Sequence, residues 1–205
     1  MILWHDNIVN SNLDYENLVS KIVVDEYYEK RSDMHTTYLK DGSPDTILED
    51  FYKDVIKKFM LDLGLYHRSQ YLIDFWTQVY SGNNKSSHNK HDHFQSDVIL
   101  SWVHFLKPPK QKCFCFIDSN GNETFPETQK QNDFIVFPSW AVHRATPFIS
   151  DENRVIVSGN VILDSIQSEI LQSEIGENAV RLDSYTRLQN LTTVCQTMFG
   201  NVTPT

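Results

Sequence analysis

The first third of the chain has the apolar spacing of amphipathic helices. A first helix is predicted over residues 11–31, because Ser11 and Asp14 resemble a capping box and the apolar residues that follow fall roughly on one helical face. The polar link after it ends in a Gly-Ser-Pro sequence at residues 42–44. Both helices would present an apolar stripe that needs another layer to cover it.

The second helix has clear start and stop signals. Ser43 suits the N-cap and Pro44 the first helical position, because proline lacks the N–H that is unpaired there. Gly64 lies where a glycine usually ends a helix. The apolar positions between them keep a spacing of three, four and four residues: Leu48, Phe51, Val55 and Phe59. The pattern therefore predicts helices within residues 11–64.

From about residue 71 the chain changes to short runs rich in Val, Ile, Phe, Tyr and Trp, separated by turn sequences such as Ser119-Asn-Gly-Asn122. The predicted strands are residues 71–80, 97–106, 113–118, 134–137 and 154–163. Helices followed by strands predict an α+β fold, in which a β core at 71–163 forms a sandwich or barrel backed by the helices. The spacing alone leaves open a jelly roll or another Greek-key arrangement.

The length of 205 residues is typical of one domain. We assign residues 1–165 to that domain and residues 166–205 to a C-terminal extension, helical or irregular, in which Ser, Gln, Asn and Thr are frequent. The content of apolar residues, 40%, is enough for a sizeable core.

Charge and cysteine content narrow the possible partners. The 18 Lys and Arg against 27 Asp and Glu give a net charge of −9, which argues against binding to nucleic acid or an anionic membrane. The sequence has no apolar run long enough to cross a bilayer and opens with a stretch too short and acidic for a signal peptide. Its cysteines, Cys113, Cys115 and Cys195, show no metal-binding spacing. We therefore expect a reduced, cytoplasmic compartment.

A His-x-His sequence is the first candidate for chemistry. In an extended segment, His91 and His93 point the same way and Asp92 points away, so two imidazoles can bind one cation. Neutral imidazole is a good ligand for divalent iron, zinc or copper. The pattern alone is weak evidence, because histidine clusters also occur in polar surface loops.

Two later segments strengthen the case. Residues 133–143 form an apolar strand and a proline-containing corner that end at His143. The next strand places Arg154, Ser158 and Asn160 on one face. A charged residue is rarely buried without a partner, and a guanidinium suits a carboxylate ligand. The alternative is an edge strand whose polar face meets solvent.

The order of these motifs resembles the iron(II)/2-oxoglutarate-dependent oxygenases, and most closely the small ones found in bacteria and their phages. The motifs are HxH at 91–93, FPSWxxH at 137–143 and RxxxSxN at 154–160. The strands 75–80 and 101–106 resemble those that flank HxH in that family. The resemblance covers about residues 71–163 and implies a double-stranded β-helix, or jelly roll.

The resemblance also implies roles for individual residues. His91, His93 and His143 would bind Fe(II), Arg154 would form a salt bridge to the C5 carboxylate of 2-oxoglutarate, and Ser158 would donate a hydrogen bond to the same group. The other positions expected at the co-substrate are Tyr80 and Asn160. The implied reaction consumes O2, releases succinate and CO2, and hydroxylates a substrate that the sequence does not identify.

The sequence departs from the family at several positions. The commonest pattern is HxD or HxE, so either three histidines bind the metal or a bulge brings Asp92 in as the alternative ligand to His93. The family's glycine and first serine in the neighbouring strands are Trp102 and Ile156 here. Two other functions stay open: a cupin-type three-histidine dioxygenase that needs no 2-oxoacid, and a non-catalytic jelly roll that binds a metal or ligand.

Four residues near these motifs are predicted to have ordinary roles. His88 is interpreted as part of a solvated loop, and His104 as a hydrogen-bonded histidine of the core or surface. Trp140 and Arg144 flank His143 and either line a substrate entrance or pack at the corner.

Overall fold

The β core consists of two antiparallel sheets in a computed structural model. The model describes residues 1–14, 16–18, 20, 29–31, 34–38, 46–65, 71–82, 87–94 and 98–163. In chain order the strands are β1 (Trp4–Asn7), β2 (Glu29–Arg31), β3 (Met34–Thr36), β4 (Tyr71–Tyr80), β5 (His88–His91), β6 (Val98–Lys107), β7 (Phe114–Ile117), β8 (Glu123–Thr124), β9 (Asp133–Pro138), β10 (His143–Ala145) and β11 (Arg154–Leu163). A helix, α1, spans Thr46–Asp62.

The larger sheet has seven strands in the order β1-β9-β6-β11-β4-β3-β2, and the smaller sheet has four in the order β5-β10-β7-β8. Apolar side chains from both sheets, among them Phe105 and Phe137 of the larger and Phe114 and Phe116 of the smaller, form one cluster between them. The predicted α+β architecture is therefore confirmed for the described residues.

Helix α1 covers the outer face of the larger sheet. Its apolar stripe, including Leu48, Tyr52 and Phe59, packs in one core cluster with Trp102 and Phe134. Residues along a strand alternate between the two faces of the sheet. Since Trp102 packs against α1, the odd-numbered residues of β6 face the smaller sheet. The even-numbered residues of β11 face the smaller sheet as well. Trp102 therefore contributes its ring to the helix side.

The end of α1 follows the sequence prediction. Gly64 has φ +70°, which a residue with a side chain rarely adopts. The N–H of Gly64 donates to the carbonyl of Leu61, and the N–H of Leu65 donates to that of Met60. These two bonds form a Schellman motif, which satisfies carbonyls that the helix leaves unpaired.

The first predicted helix is confirmed only in part. Residues 16–18 and 20 are helical, and the Oδ1 of Asp14 accepts a hydrogen bond from the N–H of Asn17, so Asp14 acts as the cap. The prediction is wrong at Glu29–Arg31, which form β2 and pair with β3. β2 pairs with the neighbouring strand β3, which itself pairs with β4, so the sheet decided the structure of that segment. The rest of the predicted helix, like the extension 166–205 and Cys195, lies largely outside the described residues.

The interpretation of two cysteines as buried core residues agrees with the structure. Cys113 and Cys115 are buried, as small apolar residues would be. No helix in the described part of the chain has both the length and the apolar character needed to cross a bilayer.

His104 is a structural histidine of the core under α1. Its Nε2 lies 3.0 Å from the carbonyl of Ile8, which can only accept, so Nε2 carries the proton and Nδ1 accepts from the hydroxyl of Tyr52 at 3.0 Å. Burial lowers the pKa of His104 from 6.5 to about 4. The ring is therefore neutral in the folded state, as the bonding pattern requires.

This burial predicts a loss of stability in acid. Between pH 6.5 and about 4 the unfolded chain binds a proton at His104 that the folded chain does not, so the free energy of unfolding falls as the pH falls. The expected contribution of His104 is about 3 kcal/mol over that window. We expect His104→Gln, whose amide can replace both hydrogen bonds, to unfold in urea with a shallower dependence on pH. Equal slopes for the two proteins would contradict the prediction.

Candidate metal centre

The three histidines of the sequence motifs come from two neighbouring strands and the turn that follows one of them. His91 ends β5 and lies opposite His143, the first residue of β10. His93 follows β5 in a segment without regular structure, and its backbone N–H donates to the carbonyl of Ser139 at 2.8 Å. The turn is thereby tied to the corner that precedes His143.

The imidazoles converge on one point. One ligand nitrogen from each of His91, His93 and His143 lies within 4.8 Å of the other two. The ring centres are 4.4 Å apart for His91 and His143 and 5.2 Å apart for each of the other pairs. Three imidazoles facing one point are an arrangement that suits a divalent transition metal.

Backbone carbonyls fix the orientation of two of these rings. The Nδ1 of His91 lies 2.8 Å from the carbonyl of Asn89, and the Nδ1 of His143 lies 2.8 Å from that of Ala141. Because a carbonyl only accepts, each Nδ1 carries the proton and each Nε2 keeps a lone pair. Metal-binding histidines are commonly oriented in this way by a bond at the other nitrogen.

The electrostatic setting keeps the rings of His93 and His143 neutral. Burial lowers the pKa of His93 to about 4 and that of His143 to about 3, and His91 contributes to both shifts. The ring of His93 also stacks on Trp76, with 5.6 Å between ring centres. Neutral imidazole is the form that binds a metal, so these residues need lose no proton at neutral pH.

Asp92, the alternative ligand, is placed differently. Its side chain is exposed, and its Oδ1 accepts a hydrogen bond from the backbone N–H of Phe94 at 3.0 Å. The group of potential ligands contains the three histidines without Asp92. The geometry therefore favours His93 as the third ligand.

Arg154 lies at the start of β11, opposite Tyr80 of β4. Its side chain is 1% exposed, and its guanidinium carbon lies 4.6 Å from the centre of the Tyr80 ring. Burial raises the pKa of Tyr80 to about 12, so the phenol keeps its proton. Within the described residues, neither Nη1 nor Nη2 of Arg154 has a hydrogen-bond partner. A buried cation with unpaired donors is costly unless an anion binds to it.

Ser158 lies further along β11, opposite Trp76. Its hydroxyl donates to the Oε1 of Gln78 at 3.3 Å, and both side chains are buried. Gln78 is not among the residues predicted from the sequence. The signal was available, because Gln78 shares the inward face of β4 with Trp76 and Tyr80.

Asn160, the fourth position taken from the resemblance, is engaged in the scaffold. Its Oδ1 accepts from the hydroxyl of Ser101 at 2.9 Å, and its backbone N–H donates to Asp74 at 3.0 Å. It does not line the cavity that the histidines share with Arg154. We therefore leave it out of the site proposed below.

One cavity connects these groups, with an empty volume of about 390 Å³ that includes open solvent. Its polar lining includes His91, His93, His143, Arg154, Gln78 and Ser158. Its apolar lining includes Val103, Phe114, Phe137 and Ile156. Among the described residues that line it there is no carboxylate, so nothing in that lining neutralises Arg154 or a bound metal.

Two residues that flank the histidine motifs line the cavity. His88, interpreted from the sequence as part of a solvated loop, begins β5 and lines the cavity, and its ring lies 4.3 Å from that of His91. Arg144 also lines it and forms an ion pair with Glu123. Trp140 is partly exposed at the corner before His143.

No known family model matches the sequence, and no curated protein matches it. Solved structures do share its fold. A prolyl-4-hydroxylase from Pseudomonas putida superposes with a TM-score of 0.56 at 13% identity, covering 78% of this chain and 91% of that one. An oxidoreductase of the 2OG-Fe(II) oxygenase family from Burkholderia pseudomallei gives a TM-score of 0.53 at 13% identity, covering 71% and 76%.

A third similar structure is a prolyl hydroxylase from Trichoplax adhaerens, in complex with a peptide fragment of the hypoxia inducible factor oxygen degradation domain. It gives a TM-score of 0.57 at 9% identity, covering 77% of this chain and 81% of that one. Identities this low establish the fold alone. The jelly roll expected from the motifs is thus confirmed, and the chain has the double-stranded β-helix fold of the 2-oxoglutarate–iron(II) oxygenases.

Proposed function

We propose that this protein is an iron(II)- and 2-oxoglutarate-dependent oxygenase. The observation that carries the proposal is the buried guanidinium of Arg154, whose two Nη atoms have no partner within the described residues and which lines the same cavity as the three histidines. A metal site alone would not explain an unpaired cation beside it. A co-substrate with a carboxylate at each end could bind the metal at one end and Arg154 at the other.

The donor set fits both groups. His91, His93 and His143 would hold Fe(II) through neutral nitrogens, and imidazole is a suitable ligand for that ion. Arg154 would pair with the C5 carboxylate, since a guanidinium can donate two parallel hydrogen bonds to one carboxylate. The guanidinium lies over the ring face of Tyr80, which is a favourable cation–π contact.

When bound, iron and 2-oxoglutarate supply the oxidative chemistry, in which O2 is consumed and succinate and CO2 are released. The protein orients them. The carbonyls of Asn89 and Ala141 hold the imidazoles of His91 and His143 in position. Phe114 and Phe137 in the cavity wall would limit the access of water to the reacting groups.

Hydroxylation is the reaction we propose, with O2 and an unidentified organic substrate as the further partners. The substrate would enter beside His88 and Arg144, which line the cavity on the side of the smaller sheet. The net charge of −9 argues against a nucleic-acid substrate.

The absence of a carboxylate from the ligand group also fits a cupin-type three-histidine dioxygenase. Such an enzyme uses no 2-oxoacid and gives Arg154 no partner, so we rank it second. A non-catalytic binding protein with this fold is the remaining alternative.

Anaerobic addition of 2-oxoglutarate to the Fe(II)-loaded protein distinguishes these functions. Chelation by the 2-oxoacid is expected to produce a weak visible charge-transfer band, and exposure to O2 is then expected to bleach it and release succinate. No band would rule out the proposed function. A band that persists in O2, with and without a substrate panel, would favour the binding protein.

A further inference from the structure

We propose that Ser158 works with Gln78 at the metal-proximal end of the 2-oxoacid, and that Arg154 holds the distal carboxylate without it. This inference rests on the proposed function. It changes the role that the family resemblance implies for Ser158, and it adds Gln78 as a positioning residue.

Strand geometry separates Ser158 from Arg154. Four residues of β-strand span about 13 Å, while one carboxylate is only about 2 Å across. The guanidinium does not reach along the strand to close that gap, because it lies over the ring of Tyr80, the residue directly opposite on β4. The donors of Arg154 and Ser158 therefore lie at different depths in the cavity.

Ser158 lies at the metal end of that cavity. The residue opposite it on β4 is Trp76, and the Trp76 ring stacks on the ligand His93 with an interplanar angle of 17°. Along β11 the order is thus Arg154, then Ile156, then Ser158 at the level of the histidine cluster. A five-carbon dicarboxylate lying along this strand would present its oxoacid end to Ser158.

Gln78 supplies the polar group that Ile156 does not. Gln78 lies directly opposite Ile156 on β4, where the family pattern has a serine on the Arg154 strand. Its Oε1 accepts from Ser158, which leaves both hydrogens of Nε2 available to an oxygen in the cavity. Both residues line the cavity and are at least nine-tenths buried.

Two 2-oxoacids test the division of roles. In 2-oxovalerate a methyl group replaces the distal carboxylate of 2-oxoglutarate, while the oxoacid end is unchanged. Anaerobic titration of the Fe(II)-loaded protein, followed by the charge-transfer band, gives a Kd for each acid. We expect Gln78→Leu to weaken both acids by about tenfold, which is the loss of one good hydrogen bond to a charged group. We expect Ser158→Ala to weaken both acids as well, because the Gln78 amide loses the hydroxyl that orients it.

The ratio of the two Kd values identifies the end that each residue binds. We expect Arg154→Leu to abolish the preference for 2-oxoglutarate and the Gln78 and Ser158 variants to preserve it. We also expect a shift of the band in those two variants, because Gln78 would donate beside the chelating atoms and Ser158 orients its amide. Thr77→Val, on the same strand but facing α1, is the matched control and should change neither Kd. Gln78→Met serves as a second variant if Gln78→Leu folds poorly.

The outcomes separate the two proposals. If Ser158→Ala weakens only 2-oxoglutarate, Ser158 binds the distal carboxylate and the inference is wrong. If the Gln78 variants bind both acids as the wild type does, the inference is also wrong, while the proposed function stands. If the wild type binds neither acid, the proposed function itself fails.

Discussion

Replacing Arg154 with leucine is expected to weaken 2-oxoglutarate binding by at least about 100-fold and to raise the stability of the ligand-free protein. The first effect follows because two charge-assisted hydrogen bonds to a carboxylate are worth about 3 kcal/mol. The second follows because Arg154 is 1% exposed and both Nη atoms lack partners within the described residues. Leucine removes that desolvated charge, and the expected gain is about 2 kcal/mol.

The Arg154→Leu variant is thus expected to lose affinity for 2-oxoglutarate and to gain stability, a combination that general damage to the fold would not produce. Binding is measured by isothermal titration under anaerobic conditions, and stability by urea unfolding without metal or 2-oxoacid. Arg154→Lys is the matched control, since it keeps the charge and loses the paired donors, and we expect intermediate affinity. A leucine variant that loses stability would show that Arg154 has a structural partner. Unchanged binding would show that the carboxylate is held elsewhere.

Replacing His143 with alanine is expected to lower Fe(II) affinity by more than about 100-fold and to abolish turnover. Changing even an outer partner of a metal ligand costs about 10- to 100-fold in affinity, and His143 is itself a predicted ligand, with its Nδ1 bonded to Ala141. Metal content after anaerobic loading and desalting measures the effect. Co(II) provides a second readout, because its visible spectrum reports the number of ligands.

Two control variants define the ligand set. His5→Asn changes a histidine of β1 that is not in the cluster, so the metal content should equal that of the wild type. Asp92→Asn tests the alternative ligand. We expect it to retain the metal, because the Asp92 carboxylate is exposed and bonded to the N–H of Phe94. Loss of metal in Asp92→Asn with retention in a His93→Ala variant would reverse the assignment of the third ligand.

His93 stands where the oxygenase family commonly has an aspartate or glutamate, so the proposed ligand set carries no negative charge. Binding of Fe(II) by three histidines and no carboxylate would leave the charge of the ion uncompensated, and Arg154 would add another positive charge within a cavity whose described lining has no acid. In a medium of low dielectric constant this field favours a dianion strongly. The charge of the proposed site would therefore contribute to its attraction for 2-oxoglutarate.

Local periodicity was enough to locate much of the scaffold from the sequence. The predicted bounds of β4 and β11 agree with the structure, and Gly64 ends α1 as expected. These features depend on alternation along a strand or on the chemistry of a helix end, which neighbouring residues determine. The parity of β11 likewise predicted that Arg154 and Ser158 share a face.

Tertiary structure alone decided the features that depend on distant partners. Strands β1 and β10 are short, and each pairs with a longer strand from a distant part of the chain, β1 with β9 and β10 with β7. The pairing of β4 with β11 placed Gln78 in the cavity, and the side-chain bonds of Asn160 placed it in the scaffold.

The metal centre shows both contributions. The spacing of His91 and His93 indicated two ligands, because residues two apart in an extended segment share a side. Convergence with His143 depends on the register that sets it opposite His91. The absence of a partner for Arg154 within the described residues is likewise a property of the folded chain. The residue types, and the strand face on which each residue lies, depend only on neighbouring positions, so the sequence determined them. Which groups meet in one cavity depends on strand pairing between segments far apart in the chain, and only the folded structure decides that.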